Sequence, residues 1–503
     1  MLDKNGRLLI AKSDASFIDL LPRMVNRHGL ITGATGTGKT VSLQVLAESL
    51  SALGVPVFIT DIKGDVAGMS QTGGGNPKVE ERTERMGLSA EGFEFRGVPA
   101  CLWDIFGRDG HPLRATIYGM GPLPLARILD LNDTQTGTLQ LLFRIAADES
   151  LPLLDLKDIR KMTEYASTNR KDYTANLGNL STSTLGTIQR GLLTLEEQGG
   201  DVFFGEPELD FHDLPRRREG KGIVNILAAD NLMRFPRIYA AFLLWLLSEI
   251  FEKLPETGDL EIPKLVMFFD EAHLIFNGAP KVLLERIEQI VRLIRSKGVG
   301  VYFITQNPAD IPQAVLAQLG NRIQHALRAY TPSEQKAVKA AASAFRPNPA
   351  FKTEEVIGNL GVGEALVSFL DAQGVPGMVE RAFVLPPEGR IGPLSREERQ
   401  SVIQKSLLYG MYEKSIDRES ACEKLSVRIG ERVRAEEEAA RQAKLEADPA
   451  RDAKKTRGNK DMLGGLVGDL AKKTQQSISR NLANHMGRGL IRGIFGNLFG
   501  GKK

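Results

Sequence analysis

The sequence lacks the features that mark several classes of protein. It has two cysteines, Cys101 and Cys422, far apart and outside any metal-ligand pattern, which argues against a disulfide scaffold and a zinc site. It has no run of about 18 apolar residues, and its first residues lack the apolar core of a signal peptide. We therefore expect a cytoplasmic protein without a transmembrane segment.

A large excess of one charge is also missing. The 65 lysines and arginines nearly balance the 62 aspartates and glutamates, so the net charge neither requires nor excludes nucleic acid as a partner. Apolar residues make up 42% of the chain and charged residues 25%, which is typical of a soluble globular protein. A chain of 503 residues is long enough for about two to four domain-sized units.

The clearest motif present is a glycine-rich loop of the pattern G-x-x-x-x-G-K-[ST]. A short, partly β-branched segment precedes the loop and apolar residues at helical spacing follow it, which predicts a strand, a loop and a helix. In this setting backbone N–H groups and the helix N-terminus surround phosphate oxygens. We expect Lys39 to reach the β- and γ-phosphates of ATP and Thr40 to ligate Mg²⁺. The predicted nucleotide-binding residues are Gly33, Ala34, Thr35, Gly36, Thr37, Gly38, Lys39, Thr40 and Val41.

A second motif supplies the other half of an ATP hydrolysis site. Five apolar residues, Leu265–Phe269, run directly into Asp270 and Glu271, as in a central strand that is buried on both faces. Asp270 is expected to hold Mg²⁺, and Glu271 to polarise the attacking water. Together with the glycine-rich loop, this pair of carboxylates predicts a Mg²⁺-dependent ATPase with ATP and Mg²⁺ as cofactors.

Two further predicted strands end in polar residues with more than one possible role. Asp61 is the last residue of one of them, the predicted strand Gly54–Asp61. Because ligands bind at the ends of strands in open parallel sheets, Asp61 and also Asp65 are candidates to face the nucleotide or its metal. Alternatively, Asp61 caps the turn that follows it. Gln306 follows the second strand, where it is placed to sense the γ-phosphate; alternatively, its amide caps the next segment.

Composition and periodicity divide the chain into four parts. Residues 1–122 and 206–395 carry the two halves of the predicted α/β ATPase core, and the helical periodicity of residues 123–205 predicts an insertion between them. Residues 396–503 form a predicted tail of charged helices. Because its last part, from Arg451, is basic and ends in glycines and apolar residues, this tail could bind nucleic acid, a membrane surface or a protein partner. A mobile, solvated tail is the alternative.

These motifs, in this order, resemble those of the HerA–FtsK superfamily of P-loop motor ATPases, and the chain is similar to its bacterial HerA-like members. The resemblance covers about Leu8 to Leu394. It implies a RecA-like fold with a mostly parallel central sheet, and a homo-oligomer in the form of a hexameric ring. The motifs that carry the resemblance are Gly33–Thr40, Asp61–Asp65, Phe268–His273, Arg295–Gly300 and Ile304–Gln306.

The resemblance also implies roles for single residues and for the whole assembly. Arg295 would act as an arginine finger that completes the site of the neighbouring subunit, with Arg292 as the second candidate. A surface ion pair, for example with Glu288, is the alternative for Arg295. The implied function is a ring motor that moves DNA through its pore.

Two other functions remain open for the sequence. An ATPase that remodels or secretes polypeptide is one, because type IV secretion ATPases share this core. A nucleotide switch that only binds a partner is the other, and Glu271 argues against it, because a binding module needs no carboxylate that activates water.

Overall fold

A mixed sheet runs through the computed structural model, which describes residues 1–170, 180–258, 260–276 and 281–454. The strands in these residues are β1 (Leu8–Lys12), β2 (Phe17–Leu20), β3 (Gly29–Thr32), β4 (Val57–Asp61), β5 (Ala100–Asp104), β6 (His111–Pro112), β7 (Arg217–Arg218), β8 (Lys221–Gly222), β9 (Val224–Ala228), β10 (Leu265–Phe269), β11 (Val299–Thr305), β12 (Asn321–Gln324), β13 (Glu364–Ser368) and β14 (Glu380–Val384). Twelve of these described strands form the sheet, in the order β2-β1-β14-β13-β12-β3-β11-β10-β4-β9-β5-β6. The remaining two, β7 and β8, pair with each other.

The strand directions confirm the predicted, mostly parallel α/β sheet. All neighbours from β12 to β6 pair in parallel, and β13, β14, β1 and β2 extend the sheet with antiparallel pairs. Strand β11 lies between β3 and β10, and β4 lies on the other side of β10. Because parallel strands end at the same edge, the residues that follow these four strands come together there.

Burial on both faces explains why the central strands read as apolar runs. All five residues of β10 are buried. Leu265, Met267 and Phe269 pack into the hydrophobic core on one face, and Val266 and Phe268 pack into the core on the other face. This alternation follows from the two-residue period of a strand, and burial on both faces leaves polar residues only at the strand ends.

Helices form the layers that cover the two faces. Among the described residues they are α1 (Lys39–Ala52), α2 (Pro77–Met86), α3 (Ile117–Met120), α4 (Pro122–Ile128), α5 (Asp133–Asp148), α6 (Leu156–Thr168), α7 (Thr182–Leu195), α8 (Asp201–Phe203), α9 (Pro236–Lys253), α10 (His273–Phe276), α11 (Lys281–Ile294), α12 (Gln313–Leu316), α13 (Pro332–Ser343), α14 (Thr353–Asn359), α15 (Arg396–Gln404) and α16 (Ala421–Lys454). Helix α1 packs in one core, and α9 packs in the other together with residues of α4 to α8. None of these described helices is both long and apolar enough to cross a membrane.

The C-terminal boundary of the first compact unit lies later than predicted. This unit spans Met1–Val427, so residues 396–427 belong to it and not to a separate tail that begins at 396. The reason is burial: Leu408 and Tyr412 are each 3% exposed, and Leu425 is fully buried. The Tyr412 ring lies 5.3 Å from that of Trp103, and its hydroxyl donates a hydrogen bond of 2.5 Å to Asp213.

The second unit comprises Arg428–Lys503, and its described residues, 428–454, are helical. Residues 455–503, which hold most of the predicted basic segment and its apolar end, lie outside the described residues.

We expect truncation after residue 395 to destabilise the protein and truncation after Val427 to leave the first unit intact. The shorter chain loses Leu408, Tyr412 and Leu425, and full burial of one such side chain contributes roughly 1.5–3 kcal/mol. Thermal unfolding followed by circular dichroism should show a lower Tm for the shorter chain, or insoluble protein. Equal melting temperatures for the two truncated chains would contradict this assignment of residues 396–427.

Candidate active site

The glycine-rich loop lies between the end of β3 and the start of α1 and is shaped by three glycines in left-handed conformations. The φ angles of Gly33, Gly36 and Gly38 are 152°, 77° and 119°, which other residues rarely adopt. A Cβ atom on Gly33 would lie 2.5 Å from the Cβ of His325. All nine residues predicted to bind nucleotide, 33–41, lie in this loop and the first turn of α1.

His325 lies against the loop, and its role there was not predicted from the sequence. Its Nε2 lies 2.7 Å from the hydroxyl of Ser42 in α1, and its Nδ1 lies 2.9 Å from the carbonyl oxygen of Glu364 in β13. Burial lowers its pKa to about 4, so the ring is neutral near pH 7. A neutral ring donates through Nδ1 to the carbonyl and accepts through Nε2, which ties the loop to two neighbouring elements. A single histidine after a short strand gives no sequence signal for this role.

Lys39 points into the loop. Its ammonium group donates to the carbonyl oxygens of Gly33 at 2.7 Å and Ala34 at 3.0 Å. Burial lowers its pKa, and the charge of Lys63 lowers it further. The charges of Lys39 and Lys63 therefore repel each other within the site.

Asp270 and Glu271 lie at the end of β10, where the chain turns towards α10. Glu271 has a φ of 45°, in the left-handed region that residues with side chains seldom adopt. The Oδ1 atom of Asp270 accepts a 2.9 Å hydrogen bond from the backbone N–H of Glu271, and its Oδ2 atom is buried without a hydrogen-bond partner among the described residues. Burial raises the pKa of Asp270 to about 7.

Three side chains surround the carboxylate of Glu271. Its Oε1 atom lies 2.5 Å from the ammonium group of Lys63. Its Oε2 atom lies 3.2 Å from Nδ1 of His273 and 3.5 Å from Nε2 of Gln306. Burial acts to raise the pKa of Glu271, but the hydrogen bond and charge of Lys63 outweigh it and lower the pKa below its usual value. Glu271 is therefore ionised near pH 7 and held between two strand ends.

Gln306 follows β11 and reaches Glu271, as expected for a residue at this edge of the sheet. The alternative, capping by Gln306, is not what the structure shows. Asn307 caps the next turn instead: its side chain accepts a hydrogen bond of 3.0 Å from the backbone N–H of Ala309. Gln306 thus keeps its amide at the surface of the site.

Asp61 does not have the predicted metal-facing role. Its Oδ1 accepts from the backbone N–H of Gly64 at 2.8 Å, and its Oδ2 accepts from that of Val66 at 3.1 Å. Both oxygens are therefore used by the turn after β4, which is the capping alternative. Burial raises the pKa of Asp65, four residues later, and the hydroxyl of Thr40 is near enough to this carboxyl to act to lower that pKa.

Two buried carboxylate oxygens and the hydroxyl of Thr40 are groups of the kind that bind a magnesium ion. Asp65 Oδ1 and Asp270 Oδ2 are both buried and have no hydrogen-bond partner in the described part of the chain, although buried polar atoms are nearly always paired. Mg²⁺ prefers a hydroxyl, one or two carboxylates and phosphate oxygens as ligands. No group of three or more His, Cys, Asp and Glu side chains in the described ranges could hold a metal without such a ligand.

Arg295 lies at the opposite edge of the sheet from the loop of its own chain. It begins the short turn Arg295–Lys297 that precedes β11, whereas Gln306 follows that strand. Seven residues at ~3.3 Å each separate the two edges by about 20 Å. The predicted fallback, Arg292, pairs with Glu288 at 2.6 Å, so the structure gives Arg292 the ion pair proposed as the alternative for Arg295.

Comparisons with known proteins gave one family match and several similar solved structures. A family model described as helicase HerA-like C-terminal matches residues 7–503. The structure of VirB4 of Thermoanaerobacter pseudethanolicus is 14% identical, with 75% of this chain and 96% of that chain covered and a TM-score of 0.48. The bacterial conjugative coupling protein TrwB is 15% identical, with 77% and 90% covered and a TM-score of 0.47. A search of curated proteins gave no significant match.

We expect Asp65→Asn and Asp61→Asn to have different effects. Asp65→Asn should raise the Mg²⁺ concentration needed for half-maximal ATP binding by about tenfold, because a charged ligand is lost, and should leave the Tm unchanged. Asp61→Asn should lower the Tm, because a hydrogen bond to a charged group contributes about 1.5–3 kcal/mol, and should leave the Mg²⁺ requirement unchanged. Mg²⁺ titrations with a fluorescent ATP analogue and melting curves measure both effects. The reverse result would restore Asp61 as the ligand.

Proposed function

The chain belongs to the helicase HerA-like C-terminal family, and from that premise we propose that it is an ATP-hydrolysing ring motor that moves DNA. Its class is that of a P-loop ATPase, with the phosphate-binding loop and the Asp270–Glu271 pair of strand β10 at one edge of a parallel sheet. One observation carries the proposal. A buried, ionised Glu271 contacts groups from two other strand ends, which a protein that only binds nucleotide does not need.

We assign roles to the residues of the site as follows. Backbone N–H groups of the loop and the side chain of Lys39 bind the phosphates, and Lys39 exchanges its carbonyl partners for phosphate oxygens. Thr40, Asp65 and Asp270 would hold Mg²⁺, which neutralises charge on the transferred phosphoryl group. Glu271 orients the attacking water and accepts its proton.

The position of Gln306 supports a link between nucleotide and assembly. Its amide contacts Glu271 and remains exposed at the end of β11. The strand that ends at Gln306 begins directly after the turn that holds Arg295. A rigid strand therefore joins the γ-phosphate side of one site to the residue proposed to complete the neighbouring site.

The protein-remodelling alternative uses the same hydrolysis site and differs only in the polymer that is moved. Residues 455–503, which hold most of the basic segment that we propose as one DNA contact, lie outside the described residues. The effect of added DNA on ATP turnover therefore distinguishes the DNA motor from the protein-remodelling alternative.

We expect wild-type protein to hydrolyse ATP with Mg²⁺ and to turn over faster when DNA is added. Glu271→Gln should retain ATP binding and lose about 10²–10⁴ in kcat, the usual contribution of a general base, whereas Lys39→Ala should weaken ATP binding. Phosphate release measured with double-stranded DNA, single-stranded DNA and no DNA gives the result. Turnover by Glu271→Gln at the wild-type rate would contradict its role, and turnover insensitive to either DNA would favour the protein-remodelling alternative.

We also expect Arg295 to act across a subunit interface. Arg295→Ala should lower turnover by about 10³–10⁵, the range known for arginine fingers, and Arg292→Ala, which removes a surface ion pair, serves as the matched control. Mixing Arg295→Ala with Lys39→Ala subunits should restore part of the activity, because some interfaces then join an intact Lys39 to an intact Arg295. Mixed rings, verified by light scattering, that remain inactive would remove Arg295 from the site.

A further inference from the structure

Lys63 is a side chain of this site to which the proposed mechanism gives no role. It lies in the turn between β4 and Asp65, and its ammonium group pairs with Oε1 of Glu271 at 2.5 Å. Its side chain keeps 37% of its surface exposed, whereas that of Glu271 keeps 5%. Lys63 thus joins the end of β4 to the end of β10 from the open side of the site.

The charged surroundings of Lys63 differ from those of a lysine in an ordinary surface ion pair. Burial acts to lower its pKa, but the hydrogen bond to Glu271 and the charges of Asp270, Glu271 and Asp65 outweigh burial and raise the pKa. Its three donor hydrogens also exceed the one acceptor atom that Glu271 Oε1 supplies.

Lys63 and Lys39 are two positively charged side chains of the same site. The charge of Lys63 is, after burial, the largest cause of the lowered pKa of Lys39. Like charges repel, and an anion bound by both ammonium groups would replace that repulsion by attraction to each of them. The loop that Lys39 occupies is the phosphate-binding loop, so the anion that fits this position is a phosphate.

The order of the groups selects the phosphate concerned. Glu271 must lie beside the terminal phosphate, because the water that it activates attacks that group. Lys63 contacts Glu271 directly, whereas Lys39 contacts the carbonyl groups of the loop. The cation next to Glu271 is therefore closer to the terminal phosphate than to the phosphates nearer the ribose.

We propose that Lys63 binds the γ-phosphate of ATP within its own subunit and at the same time holds the carboxylate of Glu271 beside that phosphate. The inference rests on the proposed ATPase function and adds a second cation in cis to the one supplied by Lys39. Lys63 would then contact both the γ-phosphate and the carboxylate of Glu271, so that binding of the γ-phosphate affects the position of Glu271. ADP, which lacks that phosphate, leaves Lys63 with Glu271 alone.

The first test compares ATP with ADP. Lys63→Ala should weaken the binding of ATP by about tenfold to a hundredfold, the effect of one lost hydrogen bond between charged groups, and should change ADP affinity by less than about twofold. Lys63→Arg keeps the charge and should retain most of the ATP preference. Lys78→Ala, an exposed lysine at the start of α2, controls for the loss of one positive charge. Titration calorimetry of full-length protein with the ATP analogue AMP-PNP and with ADP measures these affinities without turnover.

The second test separates contact with phosphate from an effect that passes only through Glu271. In the Glu271→Gln background, Lys63→Ala should still weaken AMP-PNP binding to the same extent, while the low residual turnover should fall no further. Loss of the affinity effect in that background would show that Lys63 acts only through Glu271 and would overturn the proposal.

Other outcomes also decide the proposal. Equal losses of ATP and ADP affinity in Lys63→Ala, or no loss of either, would overturn it. A wild-type protein that binds ATP without hydrolysing it would refute the proposed function, and the comparison of AMP-PNP with ADP would still test Lys63. A wild-type protein that binds neither nucleotide would overturn both.

Discussion

Parallel pairing of β3, β11, β10 and β4 is the constraint on which the site depends. Each of these strands is buried on both faces and ends at the same edge, so the first polar residues after them meet there although the chain separates them by up to about 270 positions. The register is equally important: Phe269 lies opposite Phe303 and Thr60, which brings Glu271 level with Gln306 and the turn that carries Lys63. A shift of one residue would turn every side chain to the other face.

The charged groups at this edge of the sheet reduce the free energy of unfolding when no ligand is bound, and the protein nevertheless retains them. Two lysines and three carboxylates, Asp65, Asp270 and Glu271, are concentrated beside one loop, and two of the carboxylate oxygens have no partner among the described residues. Burial of an unpaired polar atom costs about 1–3 kcal/mol. A sequence selected for stability alone would replace such groups by apolar ones, so their presence favours a site built for a metal and a phosphate chain.

The sequence allows the prediction of the loop, of Asp270 with Glu271, and of Gln306, because each follows directly from an apolar strand or from a glycine pattern with one backbone geometry. It does not separate Asp61 from Asp65. Both follow the same strand, and the turn between them decides which carboxylate caps backbone N–H groups and which faces Thr40. Lys63 is missed for the same reason, although its place in the turn between two aspartates is a usable signal.

Longer-range features depend on packing partners that the sequence does not show. Residues 396–427 contain only short groups of apolar residues between polar ones, so the sequence predicts a tail. The structure instead places Leu408 and Tyr412 in the core, with Tyr412 beside Trp103. Arg295 is the corresponding case for assembly. Its place at the edge opposite its own loop follows from the direction of β11, but a partner site for it requires a second subunit.

Backbone conformation explains how two adjacent carboxylates acquire different tasks. In a regular strand, neighbouring side chains point to opposite faces and one of the pair would enter a hydrophobic core. Because β10 ends at Phe269 and Glu271 adopts a φ of 45°, Asp270 is oriented by the N–H of Glu271 while Glu271 turns towards Lys63. A residue with a side chain in this region carries strain of about 1–3 kcal/mol, which the surrounding structure must offset. The ion pair with Lys63 is the shortest contact of Glu271 and is positioned to do so. The lysine that we assign to the γ-phosphate thus also stabilises the conformation that separates the proposed metal ligand, Asp270, from the proposed base, Glu271.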